Sequence, residues 1–136
     1  MNPVLLDPER KPVLVVIGSS AGGLEALRGL LAPLPANIDL SFVVAQHLSP
    51  DHASMLRDLL ARETRLVVQE VIDKGPLLPS HVYVTPPNSD VIVEGNALRL
   101  RPPGVRGPKP LVDRLFQTAA AAFGPNCVAV VLSGTM

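Results

Sequence analysis

Val13–Ile17 and Cys127–Leu132 are apolar at every position, and Leu40–Ala45 is interrupted only by Ser41. Runs this short and this rich in β-branched residues predict parallel strands covered on both faces. Between them the spacing changes to that of helices. Leu24, Leu27, Leu30 and Leu31 repeat at helical intervals until Pro33 and Pro35 close the segment. Ser49-Pro50 is a helix start, with Ser as cap and Pro in the first helical position, and Met55, Leu56, Leu59 and Leu60 supply its buried stripe. Leu111, Leu115, Ala119 and Ala122 mark a third helix, with Phe116 and Phe123 expected in the core. After Arg65–Gln69 the character shifts to short strands: His81–Thr85, Asp90–Glu94 and Ala97–Arg101. The last two flank Gly95-Asn96, a hairpin signal, and the three together predict a small antiparallel insert beside the main sheet.

Alternating strands and helices predict an α/β fold: a doubly wound, mostly parallel, Rossmann-like sheet between helical layers. There is no internal repeat. The proline-spaced residues 1–12 read as a flexible leader and residues 13–136 as one domain. A strand as apolar as Cys127–Leu132 needs covering on both faces, but only Ser133-Gly134-Thr135-Met136 follow it. The expectation is a sheet incomplete at its C-terminal side, with exposed apolar surface and self-association through it.

Composition narrows the function. At 136 residues the chain has room for one core and not for two. Twelve basic residues balance twelve acidic ones, and aromatics are 3% with no Trp, so neither a basic field nor a stacking platform for nucleic acid is present. A single Cys excludes an internal disulfide and a multi-cysteine zinc site. The first residues contain no apolar run of signal-peptide length, and no segment reaches the roughly 20 apolar residues of a membrane span. The expected setting is cytoplasmic, without nucleic acid or membrane insertion.

The chemistry concentrates at one turn. Gly18-Ser19-Ser20-Ala21-Gly22 fits G-x-S-x-G between a strand and a helix, where small neighbours let Ser20 project from the carboxyl edge of the sheet. Backbone N–H groups around Ala21 and Gly22, at the positive end of the following helix, are placed to hold an oxyanion. The competing reading is a glycine-rich turn without a nucleophile. No Lys-Ser/Thr follows the glycines, which removes a P-loop, and Gly18, Gly22 and Gly23 miss the dinucleotide spacing. Among the histidines, His47 follows the second strand at the same sheet edge as Ser20 and is the candidate general base. His52 lies in a first helical turn, and His81 opens a strand of the insert. Serine first, with histidine soon after, is not the order of α/β-hydrolases, in which the histidine comes late.

These segments, Val16–Leu27, Phe42–His52, His81–Asn88 and Val130–Thr135, resemble in order the catalytic domain of the chemotaxis protein-glutamate methylesterases, the CheB family, and most closely the form found in CheB/CheR fusion proteins. The resemblance runs from about Val13 to Thr135. It implies Ser20 as nucleophile, His47 as base, no cofactor, and glutamate methyl esters on the cytoplasmic helices of methyl-accepting chemoreceptors as substrate. In that family the segment matching Ser133-Gly134-Thr135 leads into the triad aspartate, which these 136 residues do not include. Asp51, near His47, is a substitute acid or, as first-turn helix charges usually are, a stabiliser of its helix. Weak or absent esterase activity is therefore expected, and a non-catalytic receptor- or partner-binding remnant is the rival reading. Arg99, Arg101, Arg106, Lys109 and Arg114, against Asp113, read equally as a docking surface for an acidic receptor helix or as a solvated loop. Cys127 reads as an inert core thiol.

Overall fold

In a computed structural model, the structure describes residues 12–20, 23–46, 53–86, 89–101 and 112–132. Five strands form one parallel sheet: β1 (Val13–Ser19), β2 (Leu40–Gln46), β3 (Val67–Glu70), β5 (His81–Val84) and β8 (Cys127–Leu132), in the order β3-β5-β2-β1-β8. The helices are α1 (Leu24–Leu31), α2 (Ala53–Glu63) and α3 (Val112–Phe123). A second, antiparallel sheet has the order β4-β7-β6, from β4 (Gly75–Pro76), β6 (Asp90–Glu94) and β7 (Ala97–Arg101).

Alternate residues of the central strands enter two separate cores, as a period of two requires. Val15, Ile17, Phe42, Val44, Val82 and Val84 face Leu27 and Leu31 of α1 and Leu56 and Leu60 of α2. Leu14, Val16, Val43, Ala45 and Tyr83 face Leu115, Ala119 and Phe123 of α3, and Val91, Val93 and Leu98 of the small sheet share that core. The result is a three-layer α/β domain, as the apolar runs predicted. Phe116, expected in the core with Phe123, is half-buried and packs against its edge.

His81–Thr85 requires a correction. It does not belong to the antiparallel insert, since β5 lies inside the parallel sheet between β2 and β3. Val82 and Val84 face one core and Tyr83 the other, so the strand must be covered on both faces. Tyr83 is tolerated there because its hydroxyl donates to the Pro76 carbonyl at 3.0 Å and accepts from the Leu78 N–H at 2.9 Å. Burial pushes that phenol up from its ordinary range. The Gly95-Asn96 hairpin forms as expected, with Gly95 at φ +63°. Glycine first in a two-residue loop suits the twist of the flanking strands.

β8 pairs with β1 and has no second neighbour among the described residues. Val128 is 46% exposed and Val131 72%. Cys127 is half-buried, and burial raises its thiol pKa, which disfavours the reactive thiolate.

One buried polar residue ties the helical layer together. Thr64 Oγ donates to the Leu31 carbonyl at 3.1 Å and accepts from the Leu66 N–H at 3.2 Å. Thr64→Val keeps the shape and leaves the Leu66 N–H without this acceptor. It is expected to lower stability by about 1–2 kcal/mol, read as a shift of the urea midpoint at unchanged m-value.

Candidate functional site

The carboxyl ends of β1, β2 and β8 meet at one place. β1 has β2 on one side and β8, from the far end of the chain, on the other. Such a reversal of strand order opens a crevice at the carboxyl edge of the sheet, where α/β proteins place their ligands. Ser20 is the first residue past β1 at that edge, and it is exposed. Its neighbour Ser19 is 7% exposed, with its Oγ turned back to donate to the Ser20 carbonyl at 3.1 Å. Of the two serines, Ser20 is therefore the one presented to solvent.

The turn carrying Ser20 is held from three elements. The Ser20 N–H donates to the Leu132 carbonyl of β8 at 3.2 Å, and the Ser20 carbonyl accepts from the Gly23 N–H at 2.8 Å. The same carbonyl accepts a longer bond from the Gln46 side-chain amide at the end of β2, at 3.4 Å. Two glycines make this closeness feasible. A Cβ on Gly18 would stand 2.8 Å from Val112 Cγ1, so Gly18 lets the first turn of α3 lie on β1. A Cβ on Gly23 would stand 2.4 Å from Ser19 Oγ and 3.0 Å from the Leu132 carbonyl oxygen.

The other predicted positions fall unevenly. His47, Ala21, Gly22, Asp51, His52, Arg106 and Lys109 lie outside the described residues. His81 is at the opposite, amino end of β5, with its Nδ1 2.8 Å from the Pro79 carbonyl oxygen and its ring stacked on Tyr83. Arg101 is exposed at the end of β7. Arg99 is engaged locally: its guanidinium donates to Glu94 at 2.6 Å and to Asp73 at 3.3 Å. Among the described residues, no group of three or more His, Cys, Asp or Glu side chains is placed to hold a metal ion, and no helix is long and apolar enough to cross a membrane.

Asp73 gives this corner a pH signature. The Leu100 N–H, donating at 2.8 Å, holds its carboxyl below the usual range, and Arg99 adds to the effect. A carboxyl lowered in the folded state stabilises the fold above its unfolded pKa, and that contribution is lost as pH falls through the folded value. Asp73→Asn is expected to lose less stability than the parent chain on acidification below about pH 4, measured by denaturant midpoints across pH.

Fold and site together define a class: a doubly wound α/β domain with an exposed serine on a G-x-S-x-G turn between strand and helix. Within that class the chain belongs to the CheB methylesterase family, whose model matches residues 15–136. It is similar to a protein-glutamate methylesterase/protein-glutamine glutaminase of Xanthomonas euvesicatoria, 38% identical over 126 residues, covering 89% of this chain and 35% of that protein. A relative of the same description in Myxococcus xanthus is 36% identical, covering 91% of this chain and 36% of that protein. The chain thus spans about a third of the length of these curated relatives. Among solved structures, the Thermotoga maritima CheB methylesterase catalytic domain superposes with a TM-score of 0.80 at 27% identity, over 93% of this chain and 70% of that one.

Proposed function

We propose that this chain is the serine-bearing part of a cytoplasmic protein-glutamate methylesterase acting on methylated chemoreceptor helices. The observation that carries the reading is the exposed Ser20 at the carboxyl end of β1, on a turn held by Leu132, Gly23 and Gln46. Ser20 Oγ attacks the ester carbonyl carbon while His47 takes the hydroxyl proton. The C–OCH₃ bond then breaks, the proton passes to the leaving methoxide, and methanol departs. Water, deprotonated by the same base, opens the acyl-enzyme and frees the glutamate carboxylate. Backbone N–H groups near Ala21 and Gly22 hold the oxyanion.

The register between β1 and β2 supports this pairing of roles. It ends with Ser19 opposite Gln46, so the next residues along the two strands are Ser20 and His47. Arg101, with Arg106 and Lys109, supplies positive charge for an acidic receptor helix, whereas Arg99 is largely compensated by Glu94 and Asp73.

The test is methanol release from a methylated chemoreceptor cytoplasmic fragment. The aspartate that the family places after the Ser133–Thr135 segment is not among these 136 residues. Hydrolysis by the isolated chain is therefore expected about 10⁴-fold below that of a chain carrying that aspartate. Failure of both to release methanol, with receptor binding retained, overturns the esterase reading in favour of a binding module.

A further inference from the structure

Gln46 carries a polar head that its place in the strand does not explain. It ends β2, and the backbone ladder between β1 and β2 ends with it, at the pair of Ser19 and Gln46. Its Oε1 atom is enclosed and has no hydrogen-bond partner among the described residues. An enclosed amide oxygen without a donor destabilises a fold, and a methionine of the same length would avoid that cost. The other end of the amide is in use. Nε2 donates to the Ser20 carbonyl at 3.4 Å, one residue beyond the last rung of the ladder. Exchanging the two ends would set oxygen against oxygen, so the Ser20 carbonyl decides which way the head group points.

That bond differs in kind from two others on the same carbonyl. Ser19 Oγ at 3.1 Å and the Gly23 N–H at 2.8 Å belong to the turn itself and move with it. They fix the shape of the turn and not its place over the sheet. On the β8 side that place is set by the Ser20 N–H, which donates to the Leu132 carbonyl at 3.2 Å. On the β2 side the Gln46 amide reaches it. Ser20 is thus held between the two strands that flank β1, through its N–H on one side and its carbonyl on the other. At 3.4 Å the Gln46 bond is long for an N–H···O contact, so it restrains the turn and does not lock it. We propose that Gln46 is a positioning residue for the nucleophile, extending the β1–β2 ladder by one side-chain rung that sets where Ser20 stands at the sheet edge. The proposal rests on Ser20 being the nucleophile of the reaction above.

The test removes the donor in two ways and reads Ser20 directly. In the ¹⁵N-labelled 136-residue chain the Gln46 side-chain amide should be rigid, with an order parameter of about 0.8 against less than about 0.6 at the exposed Gln117. Gln46→Met keeps the length without the donor, and should displace the Ser20 and Gly23 amide signals at every pH. Gln46→Glu should displace them above the ordinary glutamate pKa of about 4.3, where the carboxylate has no hydrogen to give. Below it the protonated acid donates again, and the signals should return to the parent's positions. In methanol release, Gln46→Met should lower kcat about tenfold with KM unchanged. A Gln46 amide as mobile as that of Gln117, or Ser20 and Gly23 signals in Gln46→Met that coincide with the parent's, overturns the proposal. So does a raised KM with kcat unchanged. The mobility measurement needs no variant, so it decides even where the substitutions fail to fold. A parent chain with the rigid amide and the expected displacements, but without methanol release, fails the esterase reading and leaves the tie between Gln46 and Ser20 standing.

Discussion

Ser20→Ala is expected to lower methanol release by the 136-residue chain by a further factor of about 10², while leaving its denaturation midpoint nearly unchanged. The magnitude follows from the way triad residues act as a unit. In subtilisin, losing the serine costs about 2 × 10⁶ in kcat and losing the acid alone about 3 × 10⁴, so, on the proposal that the triad acid lies outside the 136 residues tested, roughly a factor of 10² is left to lose. The stability expectation follows from exposure: Ser20 is exposed, and alanine keeps the backbone N–H and carbonyl that bond to Leu132 and Gly23. Ser19→Ala is the control. Ser19 is buried and donates to the Ser20 carbonyl at 3.1 Å, so its loss loosens the turn and does not remove the nucleophile. A rate that falls more in Ser19→Ala than in Ser20→Ala, with both chains folded, would exclude Ser20 as the attacking group.

What the sequence made legible divides along physical lines. β1 and β8 were readable because a strand covered on both faces must be apolar throughout, and α1 because its leucines repeat at helical spacing before prolines. The exposed position of Ser20 at the sheet edge followed from the strand–turn–helix order alone. β5 was misplaced because His-Val-Tyr-Val is short enough to suit either sheet. Its partners β2 and β3 are chosen by tertiary packing, with no helix between β3 and β5 to announce a parallel crossover. Arg99 read as a free cation because the carboxylate of Asp73 lies 26 residues away in sequence and is brought close as β4 pairs with β7. The burial of Asp90, 7% exposed at the start of β6, gave no signal, since a polar residue at a strand start ordinarily marks solvent. Here the packing of α3 over the ends of β2 and β5 encloses it.

Gly23→Ala and Gly29→Ala are expected to act in opposite directions, although both add one methyl group near or within α1. At Gly29, exposed in the middle of the helix, nothing stands within 4 Å of the new Cβ. Replacing glycine by alanine in an open helical position stabilises by roughly 0.5–1 kcal/mol, because less backbone freedom is lost on folding. At Gly23 the same methyl would meet Ser19 Oγ at 2.4 Å and the Leu132 carbonyl oxygen at 3.0 Å. Ser19 Oγ is already bonded to the Ser20 carbonyl, and the Leu132 carbonyl accepts the Ser20 N–H, so neither moves without disturbing Ser20. Overpacking of this kind costs about 1–3 kcal/mol. The larger consequence is catalytic, since a displacement of about 1 Å at a reacting group costs on the order of 10²-fold in rate. Gly23→Ala should therefore lose most of its methanol release at temperatures where it is still folded, and Gly29→Ala should melt higher than the parent with its rate unchanged. Equal rates in the two variants would mean that the close contact of Gly23 with Ser19 and Leu132 does not position Ser20, and that the nucleophile is set by the strand end alone.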